Sequence, residues 1–267
     1  MDTATTIILT IFMFVIALLY SSIGMGGGTG YVAAMAFIGI APAIMKPTAL
    51  ILNIIVASIA SITYIQAGRF SWSILWPFLI TSIPCAFLGG FITLQTTVFK
   101  LIVGVVLLFA SYQLAFVSQG NQQQTLRPPR LSIVLPIGAL LGLVAGLTGT
   151  GGGFLLSPLL ILLGWAEARV VCGISAVFIM ANSTFGLAGC LSKVACVPKE
   201  IIFLAIAVTL GGCLGSRYGS KKASNKIIHK VLAIVFGDCG VKNDIWINPK
   251  KMRMIQRTDN REDNPLC

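Results

Sequence analysis

A chain of 267 residues that is 56% hydrophobic and 10% charged falls outside the ordinary soluble domains, where about 25% of residues carry charge. Its mean hydropathy of +0.92 belongs in a bilayer, and the length leaves room for about eight to ten apolar segments of roughly 20 residues each. The net charge of +11 would point to nucleic acid in a soluble protein, but most Lys and Arg here fall in short connections between apolar runs, as in cytoplasmic loops. The lipid bilayer is the expected partner, and nucleic acid is not.

The first apolar run, 7–23, follows Met1-Asp2-Thr3-Ala4-Thr5-Thr6. That start has no basic region and no small-residue cleavage site stands out after the run, so an uncleaved first span is expected. Gly24-Met25-Gly26-Gly27-Gly28 comes next, then apolar runs at 31–45, 49–65, 72–91 and 101–117, and a polar linker, 118–130, closed by Arg127-Pro128-Pro129-Arg130. The second half repeats the order: 131–147, the glycine signature Gly149-Thr150-Gly151-Gly152-Gly153, then 154–163, 170–191, 201–214 and a last run starting at 227. Leu88-Gly89 matches Leu214-Gly215, and Lys100-Leu101-Ile102 matches Lys230-Val231-Leu232.

An odd number of crossings per copy turns the second copy over relative to the first, the inverted-repeat architecture of many transporters. The expected fold is all-α and polytopic, with repeat one over 1–117, repeat two over 131–235, and helices broken at the glycine loops. If every segment crosses, one side receives Arg69, Arg127, Arg130, Arg169, Arg217, Lys221, Lys222 and Lys226, and the other Lys46, Lys100, Lys193 and Lys199. That asymmetry places both termini outside the cytoplasm, in a cell (inner) membrane.

Residues 236–267 depart from this pattern. Up to Val235 the acids are Asp2, Glu167 and Glu200, whereas the last 32 residues hold five acids and six Lys or Arg. The change falls inside a run that repeat one completes as 105–117. Shifting the reading frame by one base near codon 236 permits an apolar continuation, so the tail is expected to be a frameshifted, non-native stretch, with a genuine polar tail of no assigned function as the alternative; resequencing should find one extra base there, and a well-supported frame through Cys267 would exclude it.

The glycine loops carry the functional signal. Phosphate-cradling loops of soluble NTPases require a following Lys and Ser or Thr, and neither loop has the Lys. Close helix packing through G-x-x-x-G is the serious alternative, at Gly24/Gly28, Gly142/Gly146, Gly149/Gly153 and Gly211/Gly215. Triple glycines exceed what packing needs, since each disfavours helix by about 1 kcal/mol relative to Ala, and broken helices are expected. After a break, the next half-helix presents unpaired N–H groups and the positive end of its dipole, which is an anion site with no charged side chain. The expected substrate is therefore a small anion. Gly26, Gly27, Gly28, Thr29, Thr150, Gly151, Gly152, Gly153 and Ser157 form the expected site, with Asn53, Ser175 and Asn182 from the third and eighth segments; Ser21, Ser22 and Thr148 near the breaks and Ser58 and Ser183 within those two segments are further candidates. Asn53 and Asn182 stand out because an amide in lipid needs partners.

Seven cysteines without a C-x-x-C pair and a single histidine, His229, give no metal site to build, and no cofactor is expected. The acid-poor spans also lack a carboxylate proton relay. Coupling would then use the substrate's own protonation, the membrane potential or His229.

The paired G-x-G-G-G in a duplicated, charge-poor chain resembles the sulfite exporter TauE/SafE family, also called the toluene sulfonate uptake permease family, over about residues 7–235. Pro158 after the second loop fits the family pattern, and Ala34-Met35 departs from it in the first half. The resemblance implies a permease for sulfite, a sulfonate or a related organosulfur anion. A non-transporting membrane accessory or assembly subunit is the alternative, and an intramembrane enzyme is disfavoured because it needs a nucleophile with a base, or a metal. Oligomeric state, including a homo-oligomer, is left open by the sequence.

Overall fold

The computed structural model describes residues 3–93, 98, 101–102, 104–105, 131–192 and 201–222. The polar linker, His229 and the tail 236–267 lie outside the described residues. The described elements are all helical: α1 (Thr3–Ser21), α2 (Gly28–Phe37), α3 (Pro42–Gln66), α4 (Trp72–Phe91), α5 (Leu131–Thr148), α6 (Gly153–Leu162), α7 (Ala168–Leu191) and α8 (Ile201–Lys222). Five of them, α3, α4, α5, α7 and α8, are long and apolar enough to cross a membrane. The 10-residue α2 and α6 rise roughly 15 Å and reach only halfway through the hydrocarbon.

Local chemistry sets the helix ends. Pro42 opens α3 at its first turn, where its missing N–H costs nothing. Helices α2, α3 and α6 close alike: Ile40, Arg69 and Trp165 N–H groups reach back to Met35, Tyr64 and Leu160 O at 3.0–3.1 Å, around Gly39, Gly68 and Gly164. This turn satisfies carbonyls that the helix leaves unpaired. The apolar run 31–45 is thus divided: its first part belongs to α2 and its last to α3.

Close backbone approaches give the helix directions. Along α5, Gly138 meets Phe78 and Thr81, Gly142 meets Ser82, and Gly146 meets Ala86 and Gly90 of α4, so α4 and α5 run the same way. Gly211, Gly215 and Gly219 of α8 meet Phe14, Leu18 and Ser22 in turn, so α1 and α8 also run together. Exchanging the halves (α1 for α5, α4 for α8) maps one pair onto the other. Across the middle, α3 and α7 pack against each other in opposite directions: Cys172 lies with Tyr64 near the end of α3, while Gly186 packs on Leu50 near its start.

Polarity is arranged as in a membrane protein. Ile7, Ile11 and Phe12 of α1 and Ile202, Phe203, Ile206 and Leu210 of α8 face outward, whereas Ser21, Thr29, Thr48, Asn53, Ser82, Ser157, Ser175 and Asn182 are buried. Lipid solvates the apolar exterior as well as a core would, so packing rests on small residues that let backbones approach. The G-x-x-x-G pairs therefore separate into two groups: Gly142/Gly146 and Gly211/Gly215 pack helices, while Gly24/Gly28 and Gly149/Gly153 flank interruptions. A Cβ at Gly142 would stand 2.6 Å from Ser82 Cα, whereas at Gly186 the nearest atom is 3.6 Å away. Gly142→Ala is expected to destabilise by about 1–3 kcal/mol through overpacking, and Gly186→Ala to be neutral or to gain up to about 1 kcal/mol of helix propensity. Thermal unfolding in detergent checks the pair, and equal shifts would contradict it.

Lys46 is a correction to the loop-charge reading. It sits in the second turn of α3, buried, with Nζ donating to the carbonyls of Gly89 and Gly90 at 2.9 Å and of Ile92 at 3.1 Å. An ammonium has three donors, and all three close the C-terminus of α4. Lys46 leaves the tally of loop cations. Arg69, Arg169 and Arg217 lie together at the opposite end of the bundle, to which α3 and α8 run and from which α7 starts.

Candidate functional site

Both glycine signatures are interruptions. Helix α1 stops at Ser21, Gly24 and Gly27 take positive φ, and α2 starts at Gly28; α5 stops at Thr148, Gly149, Gly151 and Gly152 take positive φ, and α6 starts at Gly153. Gly27 (φ 94°, ψ 4°) and Gly152 (φ 74°, ψ −12°) are the N-cap residues. Any other L-residue in that left-handed conformation is disfavoured by roughly 1–2 kcal/mol. No side chain caps either helix, so the first N–H groups of both remain for another acceptor.

The two breaks meet in the middle of the bundle, and residues 21–30 and 148–154 are buried throughout. A Cβ at Gly28 would press on Asn53 Nδ2 and stand 2.7 Å from Thr150 O; at Gly26 it would stand 2.6 Å from Asn53 Oδ1 and 3.0 Å from Ile179 Cγ2. At Gly151 it would lie 2.7 Å from Ile179, 2.8 Å from Ser183 Oγ and 3.3 Å from Asn53 Nδ2. From this junction α2 runs toward the Lys46 end, packing Val32 and Met35 with Leu9, Met13 and Met45. Helix α6 runs the other way, packing Leu156 and Leu160 with Leu75, Val134 and Val171. The positive ends of both half-helix dipoles thus face the junction.

Of the residues expected from sequence, the structure brings Gly26, Gly28, Asn53, Thr150, Gly151 and Gly153 together. Gly27 and Gly152 shape the turns behind them. Ser157 of α6 and Ser175 of α7 pair one turn from the second break: Ser157 Oγ donates to Gly153 O at 3.0 Å and lies 2.7 Å from Ser175 Oγ, and Ser175 O is 3.3 Å from a Cβ at Gly153. Thr29 turns toward α1, donating to Tyr20 Oη at 3.0 Å, and Thr150 Oγ1 pairs with Thr148 Oγ1 at 2.8 Å. Ser22 and Ser58 bond carbonyls of their own helices, the ordinary fate of such hydroxyls.

The two asparagines differ. Asn53 Nδ2 reaches across to Gly149 O at 3.4 Å, whereas Asn182 Nδ2 bonds Phe178 O of its own helix at 2.9 Å. The residue that faces the second break as Asn53 faces the first is Ile179: Gly28 abuts Asn53, and Gly153 abuts Ile179. Sequence reasoning missed Ile179, and it missed Tyr31, whose buried hydroxyl lies 2.8 Å from a Cβ at Gly27. The available signal for Tyr31 was its place directly after Gly27-Gly28-Thr29-Gly30, one turn into the half-helix.

Three buried polar atoms at this junction have no hydrogen-bond partner among the described residues: Asn53 Oδ1, Tyr31 Oη and Ser183 Oγ. Each leaves a desolvated dipole of the kind proteins rarely tolerate without a purpose. A separate groove of about 460 Å³ between α3 and α8, lined by Ile51, Ile202, Ile206 and Leu210 among others, is apolar and lies on the outward face, away from the glycines.

Comparison with known proteins agrees with the architecture. The family described as sulfite exporter TauE/SafE matches residues 9–242. The chain is 34% identical over 237 residues to "Probable membrane transporter protein y4hK" of Sinorhizobium fredii (strain NBRC 101917 / NGR234), covering 88% of this chain and 96% of that protein. No solved structure matches it.

Proposed function

The chain belongs to the sulfite exporter TauE/SafE family of multi-pass membrane transporters, and on that premise we propose that it carries a small sulfur-containing anion (sulfite, a sulfonate or a related organosulfur oxyanion) held between its two glycine breaks. The observation that carries this reading is the meeting of two uncapped half-helix N-termini around Asn53, in a buried junction whose neighbouring cation, Lys46, is committed to carbonyls at the end of α4. Backbone N–H groups and dipoles there favour negative charge. They do so without the strong localised charge that would hold the anion too tightly to release it.

The halves are read as inverted repeats, which the opposed directions of α3 and α7 and the like directions of α1 with α8 support. Rocking one repeat against the other would open the junction first to one side and then to the other. The end that carries Arg69, Arg169 and Arg217 is read as cytoplasmic by the positive-inside rule, which puts Thr3 on the far side of an inner membrane.

Flux into proteoliposomes, with sulfite, sulfate, thiosulfate, taurine, sulfoacetate and acetate offered in parallel, tests the reading. Uptake of one or more sulfur oxyanions above protein-free vesicles is expected, with acetate slower. Reconstituted, folded protein that moves none of them would favour the accessory-subunit alternative.

A further inference from the structure

We infer that the junction selects an anion that brings its own hydrogen-bond donor, a singly charged, protonated oxyanion, and that Asn53 Oδ1 is the atom that recognises it. This rests on the proposed anion site and narrows it to the protonation state of the substrate: a hydrogen oxyanion such as hydrogen sulfite brings a hydroxyl, whereas a simple sulfonate does not and is disfavoured. The argument starts from the fixed direction of the amide. Asn53 Nδ2 is committed to Gly149 O at 3.4 Å, which turns Oδ1 toward Gly26. Asn53 is fully buried, and Oδ1 has no partner among the described residues.

A fully deprotonated tetrahedral oxyanion offers acceptors only. It would satisfy the N–H groups of α2 and α6 and leave Oδ1 facing lone pairs. A protonated monoanion satisfies both, with its unprotonated oxygens on the N–H groups and its hydroxyl donating to Oδ1. Ile179, which occupies the corresponding place in the second half, offers no acceptor, and the junction's other unpartnered atoms, Ser183 Oγ and Tyr31 Oη, are hydroxyls that can donate to a deprotonated oxygen; of the three, Asn53 Oδ1 alone can be met only by a donor. A second negative charge would also enter a buried junction whose neighbouring cation, Lys46, is already committed to the carbonyls of Gly89, Gly90 and Ile92, and desolvation opposes it strongly. Sites built to hydrogen-bond a substrate hydroxyl reject analogues lacking it far better than apolar pockets reject an extra methylene.

The test uses two tetrahedral anions of nearly equal size and equal charge: hydrogen methylphosphonate, which has a P–OH, and methanesulfonate, which has no donor. Both are measured at a pH where methylphosphonate carries a single charge, by anion-dependent thermal shift of the purified protein and by competition with labelled sulfite uptake. Leaving one buried acceptor unpaired is expected to weaken methanesulfonate by about tenfold or more relative to hydrogen methylphosphonate. Asn53→Leu is expected to bring the ratio to near one. Equal wild-type potency of the two anions would overturn the inference while leaving the anion site standing, and an unchanged preference in Asn53→Leu would overturn the role of Asn53. Absence of any effect of either anion, with sulfite itself inert, would instead remove the anion reading on which the inference rests. Because the wild-type ratio decides the main point, a failure of the variant to fold does not leave the inference untested.

Discussion

Gly152→Ala is expected to lower transport per folded molecule by about 10- to 100-fold, and Gly27→Ala to do the same, because displacing a binding group by about 1 Å can weaken function to that degree. At both positions the backbone is left-handed, and an alanine there is disfavoured by roughly 1–2 kcal/mol before any clash. A Cβ at Gly152 would also lie 3.0 Å from Ala145 Cβ and 3.1 Å from Leu141 O, and one at Gly27 would lie 2.7 Å from Tyr31 Cζ. The turn relaxes toward right-handed backbone, and the first N–H groups of the half-helix swing away from the junction. Flux must be normalised to the monodisperse fraction, with Gly142→Ala as the comparison. That packing glycine loses stability too, but its folded fraction is expected to transport normally. If all three variants lose flux only in proportion to the folded protein, the glycines of the breaks are packing residues like the others.

Lys46→Met is expected to lower stability by about 2–4 kcal/mol, on the scale of losing charge-assisted hydrogen bonds whose acceptors stay buried. Methionine keeps most of the apolar stem but offers no donor, so the carbonyls of Gly89, Gly90 and Ile92 lose the ammonium that holds them. The bonds to Gly89 and Gly90 are buried, so water does not readily replace the ammonium there, whereas Ile92 is exposed. The cation also opposes the negative end of the α4 dipole, and its removal should fray that helix end first. Hydrogen exchange is therefore expected to rise at 88–93 before it rises elsewhere, together with a lower thermal midpoint in detergent. An unchanged midpoint and unchanged exchange would contradict the capping role. Lys46 also lies next to the second break, its Cα 3.3 Å from a Cβ at Gly149, so fraying of α4 should reach the junction and slow transport as a secondary effect.

The breaks were legible in the chain because three consecutive glycines are a poor helix and a poor lipid-facing surface at once. Their duplication at equivalent places located the junction. Asn53 was legible for a related reason, since a lone amide in a long apolar run needs a partner, and its partner proved to be the opposite break. Asn182 carried the same signal with a different outcome: its Nδ2 bonds Phe178 O one turn back, a local bond that no sequence pattern distinguishes from a long-range one, and its Oδ1 has no partner among the described residues. Lys46 was misread for the same kind of reason. A lysine near the end of an apolar run looks like a loop charge, and only the return of α4 alongside it shows that three carbonyls are waiting. Ile179 and Tyr31 were invisible as neighbours of the breaks because an aliphatic or aromatic side chain in a membrane helix is ordinary; Ile179 is there because of the face that α7 turns to the glycines, and Tyr31 because it lies one turn into α2.

The central claim is that an anion sits between the N-terminal N–H groups of α2 and α6 beside Asn53. Anomalous diffraction from crystals of the protein equilibrated with selenite tests it directly, selenium standing in for sulfur. The account predicts a selenium peak within hydrogen-bond reach of the Gly28 and Gly153 amides and next to the Asn53 carboxamide. A well-occupied peak elsewhere in the bundle, with the junction empty, would contradict it.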